Sequence, residues 1–213
     1  MNEYFQMPPN LPHYACIWLH GLGASGQDMR AIAEAMPRKN NMFMRHIFLD
    51  APKRPVSVNQ GIVMPAWYDI FGMQITAKED KEGLINSAKQ IHALINTLNK
   101  QGFSSDKIYL AGFSQGAAMV FYAGLTYENP LAGVIALSGY LPLARDICLK
   151  QPVELPIFVG YGRYDSVVMP AWTQESVRLL KEKQYTNITV EDFPIDHGVC
   201  PEEINSCAAW LQR

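Results

Sequence analysis

Only four cysteines occur in the 213 residues (Cys16, Cys148, Cys200 and Cys207), and no two form a C-x-x-C pair or a metal-site spacing. Neither a disulfide scaffold nor a zinc ribbon is therefore expected to organise the chain. Cys16, inside an apolar run, reads as a small buried hydrophobe. Positive charge is not in surplus either. Lys and Arg number 18 against 20 Asp and Glu, a net charge of −2. The densest basic spots, Arg38-Lys39 and Lys53-Arg54, are isolated pairs rather than a phosphate track, so no nucleic-acid partner is expected. The opening stretch MNEYFQMPPNLPHY lacks the basic start and apolar core of a secretory signal, and it begins Met-Asn rather than Met-Gly. No basic amphipathic helix offers a stable membrane anchor. The expectation is a cytoplasmic protein with reduced thiols, without repeats or low-complexity tracts.

One stretch imitates a membrane span. Ile108 to Tyr127 runs twenty residues without a charge, but it holds three glycines, three tyrosines, Ser114, Gln115 and Thr126. A buried strand, a turn and a buried helix account for it better. Elsewhere, short β-rich runs alternate with helical ones. Strands are predicted at Tyr14–His20, His46–Asp50, Lys107–Phe113, Gly133–Ser138, Leu155–Tyr161 and Ile188–Phe193. Most are near-continuous apolar runs, as in strands covered on both faces of a mostly parallel sheet. Helices are predicted at Gln27–Met36, Asp80–Gln101, Gln115–Tyr127, Ala171–Gln184 and Pro201–Gln212. In the second, Leu84, Ala88, Ile91, Ile95 and Leu98 recur along one face. This alternation predicts a doubly wound α/β layer fold in one domain spanning 1–213, with helices on both faces of the sheet.

Chemistry enters with LAGFSQGAAM, where Ser114 sits between Gly112 and Gly116 directly after an apolar strand. Glycines two positions either side let a strand turn sharply into a helix and hold the serine hydroxyl out at the apex. Chance would produce G-x-S-x-G about 0.07 times in a chain of this length, so context has to decide. A serine needs a base, and the base an orienting carboxylate, in the chain order Ser, acid, His. Only His197 follows Ser114; His13, His20, His46 and His92 precede it. Asp165, just past a predicted strand, is the favoured acid, with Asp146 as the alternative; Asp196, adjacent to His197, cannot easily reach back to the imidazole. An oxyanion needs two N–H donors. Gln115 supplies one, and Leu22, in the glycine turn after the first strand, is the expected second.

The stretches WLHGLG, RPVSVNQGIVMPAWYDI, LAGFSQGAAM, LSGYLPL, YDSVV and DHGVCPEEI together resemble the acyl-protein thioesterase / carboxylesterase family of small α/β-hydrolases. The resemblance runs from about residue 14 to the C-terminus. It implies the α/β-hydrolase fold, no cofactor or metal, a triad of Ser114, Asp165 and His197, and oxyanion amides at Leu22 and Gln115. It also implies hydrolysis of carboxylic esters and, in some members, of thioesters on S-acylated proteins. Two positions depart from the pattern. Ala24-Ser25 stands where an acidic residue is common, and Tyr161-Gly162 where the acid loop usually begins His-Gly.

The leading expectation is a serine carboxylesterase for short- to medium-chain acyl esters, with an acyl-protein thioesterase as the alternative. A catalytically silent binding module would normally lack a triad member, and none is lacking. The partner is then a small acyl ester or thioester or an S-acylated protein, and a homodimer is left open. The remaining anomaly is Ala51–Lys78, too long and aperiodic for an ordinary connection. Its large apolar residues (Ile62, Val63, Met64, Trp67, Tyr68, Ile70, Phe71 and Met73) either cover the sheet edge or form a lid-like acyl groove. In the second reading Met64, Trp67, Phe71, Tyr140 and Leu141 bind substrate.

Overall fold

The computed structural model describes residues 13–37, 43–72 and 78–212; Met73 and the Arg38-Lys39 pair lie outside them. Six strands form one sheet: β1 (His13–Leu19), β2 (Phe43–Leu49), β5 (Ile108–Phe113), β6 (Gly133–Leu137), β7 (Ile157–Gly162) and β8 (Ile188–Phe193). Their spatial order is β2-β1-β5-β6-β7-β8, and every neighbouring pair is parallel. The predicted strands recur to within a few residues.

The continuous apolar runs have the expected cause: both faces are covered. On one face, α2 (Lys81–Lys100), α3 (Gln115–Thr126) and α4 (Pro170–Glu182) pack over Ile17, Leu19, Leu110, Val134, Ala136, Ile157 and Val159. On the other, α1 (Gly26–Ala35) and α5 (Pro201–Leu211) cover Trp18, Ala111, Ile135, Leu137 and Phe158. The five apolar positions of α2 named above are all buried. Helix α3 is buried at every position from Gln115 to Leu125, because it lies under α2 and against the centre of the sheet. Its lack of charge follows from having no solvent face. Among the described residues no helix is long and apolar enough to cross a membrane.

The anomalous segment contains a hairpin that periodicity did not predict. Strands β3 (Lys53–Val56) and β4 (Ile62–Pro65) pair antiparallel, with Val56 opposite Ile62 and Lys53 opposite Pro65. A 3₁₀ turn at Ser57–Asn59 and a left-handed Gln60 close it. Each strand is only four residues long and contains a proline, so no alternation develops.

Candidate active site

Strand β5 reaches the sheet's C-terminal edge and turns directly into α3. Ser114, at the corner, has φ 56° and ψ −119°, a strained conformation for a non-glycine residue. Two glycines make the corner sterically accessible. A Cβ on Gly112 would run into the Gly116 carbonyl, and one on Gly116 into the Leu19 carbonyl at the end of β1. The Ser114 N–H is anchored to the Leu137 carbonyl of β6 at 2.9 Å. Its hydroxyl lies 2.9 Å from His197 Nε2, and His197 Nδ1 lies 2.7 Å from Asp165 Oδ2. A carboxylate only accepts, so the proton on the ring sits at Nδ1 and Nε2 is free to receive the serine proton. Phe113 packs against the imidazole, with ring centroids 4.9 Å apart.

Asp165 is buried. Its second oxygen accepts the N–H groups of Val167 at 2.9 Å and Val168 at 2.8 Å. The structure thus brings Ser114, His197 and Asp165 together, whereas Asp146 lies in a separate turn with its N–H on the Leu143 carbonyl. Asp196 occupies a place beside His197 and Ser166 that residue spacing does not reveal. Its carboxylate accepts the His197 N–H at 2.8 Å and the Ser166 N–H at 2.9 Å.

Leu22 and Gln115 both border the cavity in front of Ser114. Gln115 opens α3, where a backbone N–H has no partner one turn earlier. The Leu22 N–H meets no acceptor among the described residues, while the next amide, that of Gly23, is tied to the Pro65 carbonyl at 2.9 Å. Two donors are therefore left for an incoming oxygen. Buried His20 holds the loop beneath them. Its Nε2 accepts the Ala51 N–H at 3.0 Å, which leaves Nδ1 to donate to the Gly21 carbonyl at 2.7 Å. Ser25, at one of the departures from the family pattern, starts α1, and its N–H and hydroxyl both donate to Asp28 at 2.8 Å. At the other, Tyr161 is buried and its hydroxyl accepts from Gln174 at 3.0 Å.

A cavity of about 280 Å³ opens beside Ser114. Tyr68, Ile70 and Phe71 of the long segment meet Tyr140, Val168 and Trp172 across it. Of the predicted groove residues, Phe71 and Tyr140 line this cavity, and Met64, Trp67 and Leu141 do not. Trp67 is turned inward, its indole N–H donating to the His20 carbonyl at 2.8 Å. Leu141 is packed into the core, and Met64 sits near Asn59, whose side chain reaches its sulfur at 3.4 Å. The sequence also hid the role of the Gln115 side chain. Its oxygen accepts the Trp67 N–H at 3.0 Å and its amide donates to the Tyr68 carbonyl at 2.8 Å, fastening the long segment to the start of α3.

Polar groups enter the cavity at few points. The hydroxyls of Tyr68 and Tyr140 meet at 3.2 Å. Burial holds both in the protonated form, that of Tyr140 up to about 12. Burial also raises the Glu79 carboxyl, against the opposing effect of the Leu143 N–H it accepts at 2.8 Å.

A polarised serine, two free amides and an apolar cavity form a constellation suited to acyl transfer. The sequence profile of the phospholipase/carboxylesterase family matches residues 3–213. The chain belongs to that family. It is 40% identical to acyl-protein thioesterase 1 of Schizosaccharomyces pombe over 176 residues, covering 81% of this chain and 78% of that protein. Identity to acyl-protein thioesterase 1 of Mycosarcoma maydis is 34% over 219 residues, or 95% and 91% of the two chains. Among solved structures, Zea mays acyl-protein thioesterase 2 superposes with a TM-score of 0.82 at 26% identity, covering 97% of this chain and 96% of the other. Arabidopsis thaliana SOBER1 gives 0.86 at 25%, covering 94% and 98%. The Bacillus cereus carboxylesterase shares the fold at a TM-score of 0.76 and 22% identity, covering 94% and 88%. The protein is a serine hydrolase of the α/β-hydrolase fold. Both of these curated relatives carry the name acyl-protein thioesterase 1.

Proposed function

We propose that this hydrolase cleaves the acyl thioester of S-acylated proteins. The observation that carries the reading is the 40% identity to a protein named acyl-protein thioesterase 1 over four-fifths of the chain. The site supports it physically. In this mechanism Ser114 Oγ attacks the thioester carbonyl as His197 Nε2 takes its proton. The developing oxyanion is met by the Leu22 and Gln115 N–H groups, and Asp165 steadies the imidazolium. Collapse expels the protein thiolate, which takes the proton from His197 and leaves the acyl group on Ser114. Water, deprotonated by the same imidazole, then releases the fatty acid. A thiolate is a good leaving group, so the protonation step is less demanding than for an oxygen ester.

The test uses an S-acylated peptide and a thiol reagent. Steady release of thiol should be seen with the wild-type protein, and Ser114→Ala should lower kcat by roughly 10⁴-fold or more with folding preserved. A phosphonate should label Ser114 and no other residue. Thiol release by Ser114→Ala at the wild-type rate would overturn the assignment.

A second reading, a carboxylesterase for short- to medium-chain esters, is favoured by the cavity. Its 280 Å³ lies at the lower edge of the range for small-molecule pockets, which suits a modest acyl group. Matched oxygen esters and thioesters from acetyl to palmitoyl separate the two readings. Higher kcat/KM for short oxygen esters than for every thioester would favour the second.

A further inference from the structure

Two adjacent residues on the acid loop touch two adjacent residues on the base loop. Asp165 meets His197, as described. One position on, Ser166 meets Asp196: both its N–H, at 2.9 Å, and its hydroxyl, at 3.1 Å, donate to Asp196 Oδ1. The same oxygen accepts the His197 N–H at 2.8 Å. A single carboxylate oxygen therefore gathers donors from both loops. Two backbone bonds extend the attachment, Arg163 N–H to the Phe193 carbonyl at 2.7 Å and Tyr164 N–H to the Ile195 carbonyl at 3.0 Å. These begin where the β7–β8 ladder ends, at Gly162 opposite Phe193.

The loops need such a fastening. Past residue 193 the chain must leave the sheet edge and bring an imidazole back over Ser114, and the segment Pro194–Val199 forms no regular element. Main-chain pairing stops at Ile195, so beyond it the tie is made by side chains. From the Asp165 side, Val167 and Val168 occupy only Oδ1. Those contacts fix the carboxylate relative to its own loop and leave the distance to the imidazole unset.

We infer that Asp196 is a positioning residue, whose carboxylate clamps the acid loop to the base loop and so sets the Asp165–His197 contact. It touches no reacting atom. The inference rests on the triad assigned under the proposed function. Its donors, the Ser166 N–H foremost, hold its carboxyl below the usual carboxylate range, so the clamp stays charged wherever the imidazole works as a base. Charge matters here because a charged acceptor makes shorter and stronger hydrogen bonds than a neutral one.

The experiment is a double-mutant cycle on kcat and KM for p-nitrophenyl acetate, using Asp196→Ala, Asp165→Asn and the pair. If Asp196 acts through Asp165, Asp196→Ala lowers kcat by roughly tenfold with KM within about twofold, and in the Asp165→Asn background costs less than about twofold more. A structural role alone would give equal losses in both backgrounds. Equal losses, or an Asp196→Ala enzyme with wild-type kcat while Asp165→Asn is impaired, overturn the inference and leave the triad standing. Wild-type kcat in Asp165→Asn would instead remove the triad assignment, and this inference with it. Should Asp196→Ala not fold, Asp196→Asn keeps the shape and weakens the acceptor, and the same coupling is read from its smaller loss.

Discussion

His197 and His20 both sit at loops that frame Ser114, and what their ring nitrogens meet separates their tasks. The Nε2 of His197 faces the serine hydroxyl, whereas that of His20 is occupied by the Ala51 N–H. Replacing His20 with Ala would strand the Ala51 N–H and the Gly21 carbonyl, at roughly 1–3 kcal/mol for each buried group. His20→Ala should therefore lower the Tm by several degrees, whereas His197→Ala should leave the Tm within about 2 °C and abolish turnover; thermal scans beside kcat separate the two. Glu203 gives a second contrast. It is fully buried against Gly160 with both carboxyl oxygens unpartnered among the described residues, and burial pushes its carboxyl up to about 8. In the unfolded chain a glutamate releases its proton near pH 4.3. Between those values unfolding releases a proton, so this residue's contribution to stability falls as pH rises through the window. Relative to wild type, Glu203→Gln should gain Tm from pH 5 to pH 8.5, by a few degrees; a constant difference across that range would contradict the raised carboxyl. The contact of Ser114, Asp165 and His197 could be anticipated because the proposed reaction demands that order along the chain. The Gln115 side chain was not legible, since its partners lie nearly fifty positions away and no local pattern encodes the contact.

Among the elements, the long strands and helices were readable because each answers to one period. Four-residue β3 and β4 answer to none, and their register is set by the turn at 57–60 and by attachment to the body of the protein. The same limit applies to the groove. Apolar density at 62–71 was visible, but which residues face the cavity depends on where the chain bends after Pro65. The Trp67 indole is spent on the His20 carbonyl and its own carbonyl accepts the Ser87 hydroxyl, while Phe71 stays exposed at the cavity wall. Phe71→Ala should thus depress kcat/KM for octanoate several-fold more than for acetate, since each buried methylene is worth about 0.8 kcal/mol. Trp67→Phe should lower all chain lengths alike, together with the Tm. A p-nitrophenyl ester series on both variants checks the division, and a chain-length-selective loss in Trp67→Phe would refute it.

At the scale of the whole molecule, the strand order places the chemistry. The chain runs outward from β1 to β2, then crosses back to add β5 on the other side of β1, so the loops after β1 and β5 part at a switch point. Leu22 and Ser114 stand on those two loops, and the crossover explains their proximity. Strand order is a product of packing among distant elements, and the alternation of runs could not supply it. The same topology distributes persistence unequally. Helix α3 is enclosed on every side, whereas β8 has one strand neighbour and is exposed or only partly buried at every position but its last, Phe193. On the proposed assignment, the nucleophile Ser114 is therefore rooted at the start of the most enclosed helix, and the base His197 follows an edge strand. Amide exchange should be most protected in α3 and faster by orders of magnitude in β8. Fraying of that edge carries His197 away from Ser114 while the centre of the sheet is intact. In rising urea, esterase activity should then fade before the near-ultraviolet dichroism changes, leaving a folded protein that has lost its base; coincident curves would mean that the edge and the centre unfold as one.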